Sequence, residues 1–343
     1  MTTADTRDVI YPSDTKTVIL FGGSDILPRL AQTLTNKGYD VSVFTSPRQA
    51  SEPMRGGTLE SELERVGATY WIKEDIADFP MHLITPFAIG LGIGEAWVFP
   101  QRIRDAFGDR LLDFMSIPLP RYRGGAHITW AILRGERTWG GCLQLVTANT
   151  VPGEHDDGEI ILSWEYEIPN RCRIPQDWFE FCGQEDINAI VGFLVSVRMR
   201  RAFRAAPVNE AKSLFLPRLK TVTNGWIDWS LPVAEVESFI CAFDNPYPGA
   251  RTLLAGVEVA LKGVSWDGVA QPRVSFQRGL VLRVQDGIHI AALGGVIVAR
   301  SVLLNGVDQS HHVKVGMRFF SPVEQLEYAL RTTPIYTPQG APA

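Results

Sequence analysis

The sequence predicts an α/β domain built on a parallel sheet, followed by a small antiparallel β-barrel. The first half of the chain alternates apolar, β-branched runs with segments of helical periodicity, as parallel sheets with crossover helices do. From residue 251 to about 320, short alternating runs are separated by Gly or Asp-Gly turns, which is typical of antiparallel strands. A length of 343 residues leaves room for two domains.

Composition limits the classes of function. The 33 basic and 38 acidic residues give a net charge of −5, which provides no general attraction to nucleic acid or anionic membranes. The chain lacks a run of about 18 apolar residues, and its start is polar, so we expect neither a spanning helix nor a signal peptide. A cytoplasmic location is therefore expected, with reduced and buried cysteines at Cys142, Cys172, Cys182 and Cys241.

The first strand, helix and second strand are predicted at residues 15–25, 26–39 and 40–45. The strand "TKTVILFGGSD" ends in a Gly-Gly pair, the helix stops at Gly38, and "DVSVFT" alternates as a strand. A complete G-x-G-x-x-G motif is absent, so the Gly-Gly pair indicates a tight turn for helix packing rather than a phosphate loop.

A glycine-rich strand end is predicted within residues 82–99, "HLITPFAIGLGIGEAWVF". Glycine allows a flat ligand to approach the backbone closely. Ligands of open α/β sheets bind at the carboxyl ends of the strands. The candidate ligand-binding residues on this ground are Gly90, Gly92 and Gly94.

The remaining pattern completes both domains. Strands are predicted at 111–117 and 138–148, a helix at 124–135, a turn and strand at 152–168, and a closing helix at 184–205. A connector and an amphipathic helix, 232–244, precede the barrel strands. The predicted limits are 1–206 for the first domain, 207–231 for the linker, 232–330 for the barrel and 331–343 for a Pro-rich, disordered tail.

Five segments resemble the formyltransferase family, which includes methionyl-tRNA and sugar N-formyltransferases. They are "VILFGGSDILPRLAQTL" (18–34), "AIGLGIGEAWVFP" (88–100), "LPRYRGG" (119–125), "DDGEII" (156–161) and "NGWIDWSLPVAEVESFICAFDNPYPGA" (224–250). The second lies where the family's loop holds the pterin of the cofactor, so the resemblance implies that Ala96 and Trp97 also bind it. The resemblance covers nearly the whole chain. It implies a Rossmann-like sheet domain, an OB-like barrel and 10-formyltetrahydrofolate as the cofactor.

The family's catalytic pattern is only partly kept. Its Asn-x-His motif falls on Asp113 and Met115, a histidine of the following strand falls on Gln144, and its aspartate is retained as Asp156. The resemblance therefore implies that Asp113 and Asp156 are catalytic and that Met115 and Gln144 line the cofactor site. In the Leu-Pro loop, the residues implied to bind substrate are Arg121, Tyr122 and Arg123.

Formyl transfer places a negative charge on the carbonyl oxygen and removes a proton from the attacking amine. Met115 has no N–H to stabilise that charge, and an ionised Asp113 would repel it. We hypothesise that Asp113 and Asp156 share one proton, with Asp113 as neutral donor and Asp156 as base. The alternative is that both carboxyl groups only hold the loop through backbone hydrogen bonds.

His127 is the third candidate catalytic residue. It begins the predicted helix after the Leu-Pro loop, and a helix N-terminus would keep its imidazole neutral. A packing or capping role is the alternative. No metal site is predicted, because Asp113, Asp156 and Asp157 lack a histidine or a further clear ligand.

The sequence thus predicts a divergent 10-formyltetrahydrofolate-dependent N-formyltransferase acting on a small amine or a nucleotide-linked amino sugar. A tRNA partner is disfavoured, because residues 231–343 hold nine basic and nine acidic residues whereas tRNA binding calls for a basic stripe. Two alternatives stay open: a catalytically silent folate- or ligand-binding family member, and a formyl or acyl hydrolase. A membrane partner is not expected, and homo-oligomerisation is left open.

Overall fold

The structure is a computed structural model that describes residues 6–147, 158–266 and 275–335. The helices of these residues are α1 (Ile26–Asn36), α2 (Pro47–Ala50), α3 (Leu59–Arg65), α4 (Gln101–Phe107), α5 (His127–Leu133), α6 (Pro175–Arg198), α7 (Thr221–Asn224), α8 (Val233–Ala242) and α9 (Val323–Arg331).

The strands of the first half are β1 (Arg7–Ile10), β2 (Thr17–Gly22), β3 (Asp40–Thr45), β4 (Pro53–Met54), β5 (Gly57–Thr58), β6 (Thr69–Ile72), β7 (Ala88–Ile93), β8 (Leu111–Met115), β9 (Tyr122–Gly124), β10 (Thr138–Leu145) and β11 (Ile160–Glu167). Those that follow are β12 (Ala202–Ala205), β13 (Leu214–Leu216), β14 (Ala250–Leu254), β15 (Val257–Trp266), β16 (Val281–Val284), β17 (Ile288–Ala292), β18 (Gly295–Leu304), β19 (Val307–Asp308) and β20 (Phe319–Phe320).

The main sheet has the strand order β11-β10-β8-β7-β2-β3-β6. Strands β6, β3, β2, β7 and β8 run parallel, whereas β10 is antiparallel to both of its neighbours. The chain builds outward from β2 in one direction through β3 and β6, and then in the other through β7 and β8. The carboxyl ends of β2 and β7 therefore meet at a topological switch point, where such sheets bind ligands.

The central strands are buried on both faces of the sheet. In β2, Val18, Ile19, Leu20 and Phe21 are all fully buried, which is why this strand is a continuous apolar run rather than an alternating one. Leu20 packs with α1 and α6 on one face, and Phe21 packs with the aromatic side chains around α4 on the other.

An antiparallel sheet forms the C-terminal part, in the order β16-β17-β18-β15-β14-β20, and β19 pairs with β18. Helix α8 covers it with the fully buried Val236 and Ile240. The predicted fold class, a Rossmann-like sheet domain followed by a curled antiparallel half-barrel, is confirmed. The domain limits stay a prediction, since one hydrophobic core runs from Trp139 and Trp178 to Ile240 and Val302.

Two predicted elements differ from the structure. The helix expected at 184–205 spans Pro175–Arg198, because a proline fits the first turn of a helix and residues beyond Arg198 form β12 instead. Strand β12 pairs with β1, an element that the sequence did not reveal. Of the predicted tail, Arg331 ends α9, and residues 336–343 lie outside the described residues.

None of the helices in the described ranges combines the length and the apolar character needed to cross a bilayer. The four cysteines, all within these ranges, are buried and not joined by disulfides.

Gly124 provides a test of the loop geometry, because it has φ +100° and a Cβ there would lie 2.0 Å from the carbonyl oxygen of Leu216. Gly124→Ala should cost a left-handed strain of about 1–2 kcal/mol and a further ~1–3 kcal/mol for the steric clash. Gly135→Ala is the matched control, since Gly135 has φ +66° and open space around it. Urea unfolding measures both changes, and equal losses of unfolding free energy would contradict the clash.

Candidate functional site

Asp113 and Gln144 form a buried pair at the centre of the candidate site. Asp113 of β8 pairs with Gln144 of β10 on one side and with Gly92 of β7 on the other. The amide nitrogen Nε2 of Gln144 donates to Oδ2 of Asp113 at 3.0 Å. The two residues are 6% and 0% exposed, so this hydrogen bond stabilises a carboxyl group that has little access to water.

The carbonyl oxygen of the Gln144 side-chain amide has no comparable hydrogen bond within the described ranges. This atom, Oε1, is buried and has no hydrogen-bond partner among the described residues. A buried acceptor without a donor costs about 1–3 kcal/mol. An N–H or O–H group brought next to this oxygen would therefore gain a strong hydrogen bond.

Glu95 is a buried acid that the sequence analysis missed. It follows β7, is 7% exposed, and its Oε2 lies 2.5 Å from the position that a Cβ on Gly92 would take. Because Gly92 pairs with Asp113 on the adjacent strand, and neighbouring strands are about 5 Å apart, the Glu95 carboxyl group over Gly92 lies close to Asp113. The signal was a charged residue inside an apolar run, where burial is costly.

The glycines of β7 are required by side-chain packing. The space beside Gly90 is filled by Leu111 and Phe107, and the space beside Gly92 by the Glu95 carboxyl group. Gly94 has φ +60°, a conformation that favours glycine. Gly90 and Gly92 therefore do not present bare backbone at those faces, and the predicted role of all three glycines in cofactor binding stays a prediction.

The neighbouring candidates Ala96 and Trp97 belong to the aromatic cluster around α4. Trp97 is 9% exposed, and its indole N–H donates to the carbonyl of Glu74 at 3.1 Å. That contact fixes the turn after β7. Trp97 can therefore support the site without contacting a ligand.

The Leu-Pro loop is braced by its own side chains. Tyr122 is buried, its hydroxyl donates to Glu136 at 2.6 Å, and its ring stacks on Trp139. The Arg121 guanidinium lies 3.6 Å from the Glu165 carboxylate and donates to the carbonyl of Thr138. These contacts favour a structural role for Tyr122.

Arg123 lies in the short strand β9, which pairs with β13 of the connector. The loop is therefore tied to the chain that leads into the C-terminal sheet. Substrate binding by Arg121, Tyr122 and Arg123 stays a prediction, with the partly exposed Arg121 guanidinium as the group best able to reach a ligand.

His127 is the first residue of α5 and is half-buried, with its Nε2 atom fully buried. Burial, and after it the positive charge of Arg218, lower the pKa of its imidazole to about 4, against a backbone hydrogen bond with Arg123 that raises it. Its Nε2 has no partner in the described part of the chain. The imidazole is neutral near pH 7, mainly through burial rather than the helix end, and its catalytic role stays a prediction.

Met115 ends β8, opposite Cys142 of β10, and packs half-buried against the main hydrophobic core. Asp156 lies outside the described residues, so the shared proton with Asp113 stays a hypothesis. The chain re-enters the structure at the buried Gly158, where a Cβ would lie 3.4 Å from the Cβ of Gln144. The backbone two residues beyond Asp156 is thus next to the Asp113–Gln144 pair.

Asp186 is a second acid that the sequence analysis missed, because nothing in its local helical pattern distinguishes it. It lies in α6, is 1% exposed, and accepts hydrogen bonds from Ser116, Trp164 and Tyr166. Burial raises the pKa of its carboxyl group to about 6, against the three hydrogen bonds, which lower it. Among the described residues, no group of three or more His, Cys, Asp or Glu side chains could hold a metal ion.

The pH dependence of stability tests these environments. The folded pKa of His127 is about 4 against an ordinary 6.5, so the folded state binds fewer protons between these values. The free energy of unfolding should therefore fall as the pH drops from 6.5 to 4, by at most about 1.4 kcal/mol per pH unit. Urea unfolding of His127→Gln across this window should lack that loss.

Asp186→Asn is the opposite control. The folded pKa of Asp186 is raised from 3.8 to about 6, so its contribution to unfolding free energy is lost as the pH rises through that window. In the wild type the two residues change the free energy of unfolding with pH in opposite directions, so their effects partly cancel. The His127→Gln profile should therefore show the slope due to Asp186, and the Asp186→Asn profile the slope due to His127. A His127→Gln profile that matches the wild type would contradict the buried, neutral imidazole.

Comparison with known proteins agrees with this fold. The family described as formyl transferase, C-terminal domain, matches residues 220–311. The methionyl-tRNA formyltransferase of Syntrophus aciditrophicus is 32% identical over 304 residues, which cover 84% of this chain and 91% of that protein. The methionyl-tRNA formyltransferase of Fervidobacterium nodosum is 23% identical over 302 residues, covering 85% and 92%.

Solved structures resemble the chain at lower identity. WlaRD, a sugar 3N-formyl transferase solved with dTDP and 5-N-formyl-THF, has a TM-score of 0.59 at 13% identity and covers 83% of this chain and 97% of that chain. HypX from Aquifex aeolicus in complex with tetrahydrofolic acid has a TM-score of 0.54 at 17% identity, covering 93% and 48%. These likenesses show the fold.

The expectation that tRNA is an unlikely partner is wrong. The curated relatives are methionyl-tRNA formyltransferases, so a balanced charge count is no ground for excluding tRNA. The physical reason is that a domain total ignores where charges lie, and four basic side chains line one cavity here: Arg171, Arg173, Lys262 and Arg300. With 32% identity across 91% of a curated relative, the chain belongs to the formyltransferase family.

Proposed function

We propose that this chain transfers a formyl group from 10-formyltetrahydrofolate to the amino group of an aminoacyl-tRNA. The observation that carries the proposal is the buried Asp113–Gln144 pair at the carboxyl end of β8, beside the switch point of the sheet. The curated relatives support the acceptor. Neighbours solved with 5-N-formyl-THF, folinic acid or tetrahydrofolic acid support the formyl-folate cofactor.

The reaction forms a bond between the acceptor nitrogen and the formyl carbon and breaks the bond from that carbon to N10 of the folate. One proton leaves the acceptor nitrogen, and N10 gains one. The chain must therefore offer a proton acceptor near the amine and a donor near the formyl oxygen. Met115 supplies neither, so these tasks fall to the carboxyl groups.

A single proton shared among buried carboxyl groups provides both a hydrogen-bond donor, the protonated group, and a proton acceptor, the ionised group. Two like charges close together in a buried site disfavour joint ionisation. Glu95 lies over the residue that pairs with Asp113, and the backbone after Asp156 returns beside Gln144. In the proposed mechanism a protonated carboxyl group at Asp113 donates to the formyl oxygen, and an ionised partner accepts the amine proton.

Two groups of cations support a polyanionic acceptor. A cavity of 540 Å³ between the start of α6 and strands β15 and β18 is lined by the basic Arg171, Arg173, Lys262 and Arg300 and by the acidic Asp177 and Asp244. A second cavity of 280 Å³ beside the start of α5 contains Arg218 and Lys220. Phosphate contacts from Arg and Lys position nucleic acid without reading its sequence.

The cations of the larger cavity are incompletely neutralised. Arg173 forms an ion pair with Glu237, and the Lys262 ammonium donates to Asn245 at 2.7 Å. Arg300 has no ion pair in the part of the chain that the structure describes. Burial lowers the pKa of Lys262, against the negative charge of Asp244, which raises it, and a bound phosphate would further favour the charged form.

The direct test is formylation of methionyl-tRNA by the full-length protein with 10-formyltetrahydrofolate, measured as N-formyl-methionyl-tRNA. Product should require both reactants, and uncharged tRNA and free methionine serve as controls. Asp113→Leu should lower the rate roughly 10²-fold or more, because it removes the donor. Asp113→Asn keeps an N–H donor but cannot share a proton, so its activity should follow a changed pH profile, and an unchanged activity and pH profile would contradict the shared proton.

Other results would overturn the proposal. Formyl-folate binding by calorimetry without product on any aminoacyl-tRNA would support the silent family member, which the lack of a hydrogen-bond donor in the Met115 side chain favours. Formate release without an acceptor would support the hydrolase. Unchanged activity in Asp113→Leu would remove Asp113 from the mechanism.

Salt dependence tests the larger cavity. Arg171→Glu and Arg300→Glu should each raise KM for aminoacyl-tRNA and lower the slope of log affinity against log salt by about 1, because each lost phosphate contact releases fewer counterions. Arg331→Glu on the exposed face of α9 makes the same charge change outside the cavity. Equal effects of all three variants would contradict a specific phosphate contact.

A further inference from the structure

Asp186 occupies an unusual place for a carboxyl group. It lies in the middle of α6, on the face that packs against the sheet, and is 1% exposed. Its Oδ2 accepts from the Ser116 hydroxyl at 2.5 Å, and its Oδ1 accepts from the Trp164 indole at 2.9 Å and the Tyr166 hydroxyl at 3.2 Å. Acids are almost never this buried unless paired, and these three donors stand in for a cation.

The Ser116 hydrogen bond reaches the candidate site. Ser116 directly follows Met115, the last residue of β8, and begins the stretch that leads into the Leu-Pro loop. Its carbonyl oxygen accepts from the indole N–H of Trp139 at 3.2 Å. The residue after β8 is thus held through its side chain by α6 and through its main chain by β10.

The remaining two donors to Asp186 belong to β11 rather than to the end of β8. Trp164 and Tyr166 both lie in β11, at the outer side of β10. The Trp164 ring stacks on Phe114 of β8 at a centroid distance of 6.1 Å. Asp186 therefore has one direct hydrogen bond to the end of β8 and two to the edge strand.

We propose that Asp186 is a positioning residue for formyl transfer, which fixes the end of β8 and with it Asp113 by accepting the hydrogen bond of Ser116. This inference rests on the proposed function of the Asp113 site. An ionised Asp186 can accept all three hydrogen bonds at once. When it is protonated, one oxygen becomes a donor, and a hydrogen bond to Ser116 or to β11 is weakened or lost.

The surroundings of Asp186 set the pH at which this change occurs. The titratable groups facing it are Tyr166 from β11 and Cys182 and Glu185 from α6, whereas Ser116 and Trp164 do not titrate. Burial raises the pKa of Asp186 to about 6. The network is therefore complete above about pH 6, so kcat should fall as the pH drops below it.

Asp186→Asn in the full-length protein tests the inference. The variant keeps the size of the side chain but loses its charge, so kcat should fall roughly 10- to 100-fold through displacement of β8. KM for formyl-folate should stay within about twofold, because Asp186 contacts no substrate. The decline of kcat below about pH 6 should disappear from the pH profile.

Ser116→Ala and Tyr166→Phe form a matched pair, since each removes one hydroxyl that donates to Asp186. Ser116→Ala should reproduce the kcat loss of Asp186→Asn, and the double variant should lose no more than either alone. Tyr166→Phe should leave kcat within about twofold, because its hydroxyl does not reach β8. These two variants carry the test if Asp186→Asn fails to fold.

Each remaining outcome has a definite meaning. Equal kcat losses in Ser116→Ala and Tyr166→Phe would show a general packing role and overturn the inference. The inference would also be overturned if the wild type is active and Asp186→Asn has the same kcat and the same pH profile. A wild type that does not formylate aminoacyl-tRNA would instead overturn the proposed function, and the inference with it.

Discussion

Buried carboxyl groups need hydrogen-bond donors, and this constraint organises the structure around β8. An ionised acid removed from water costs several kcal/mol unless its oxygens are hydrogen-bonded. The Gln144 amide donates to Asp113 on β8, and Ser116, just beyond β8, donates to Asp186. The end of this strand is therefore fixed by polar contacts inside an otherwise apolar sheet, which is how a reactive geometry can be held rigidly.

The glycine-rich end of β7 also accommodates a buried carboxyl group. The glycines leave space that the Leu111, Phe107 and Glu95 side chains occupy, so acid rather than bare backbone lies beside β8. A formyl-folate bound at this edge would meet carboxyl groups where the family's pattern places an amide and an imidazole. In the proposed mechanism the chemistry depends on a proton shared among acids, so burial and the distance between the carboxyl groups matter more than the identity of any one residue.

Charge distribution shows a similar dependence on three-dimensional placement. The C-terminal part is neutral in total, yet Lys262 and Arg300 of its strands join Arg171 and Arg173 around one cavity. Long-range attraction follows the total charge, whereas phosphate contacts follow the local arrangement. The charged form of Asp186 completes the hydrogen-bond network above about pH 6. Because burial disfavours that form, the ordered end of β8 lowers the stability of the folded protein.

The alternating strands and helices of the first domain, the change to antiparallel strands after residue 250 and the family motifs can all be read from the order of residues, because periodicity and turn chemistry are local. The pairing of β1 with β12, the hydrogen bond from the Tyr122 hydroxyl to Glu136 and the contact of Ser116 with Asp186 exist only in the folded chain. These contacts join residues that lie far apart in the chain or carry no pattern of their own. Their energy comes from burial and from hydrogen-bond partners that exist only after the sheet and its helices have packed.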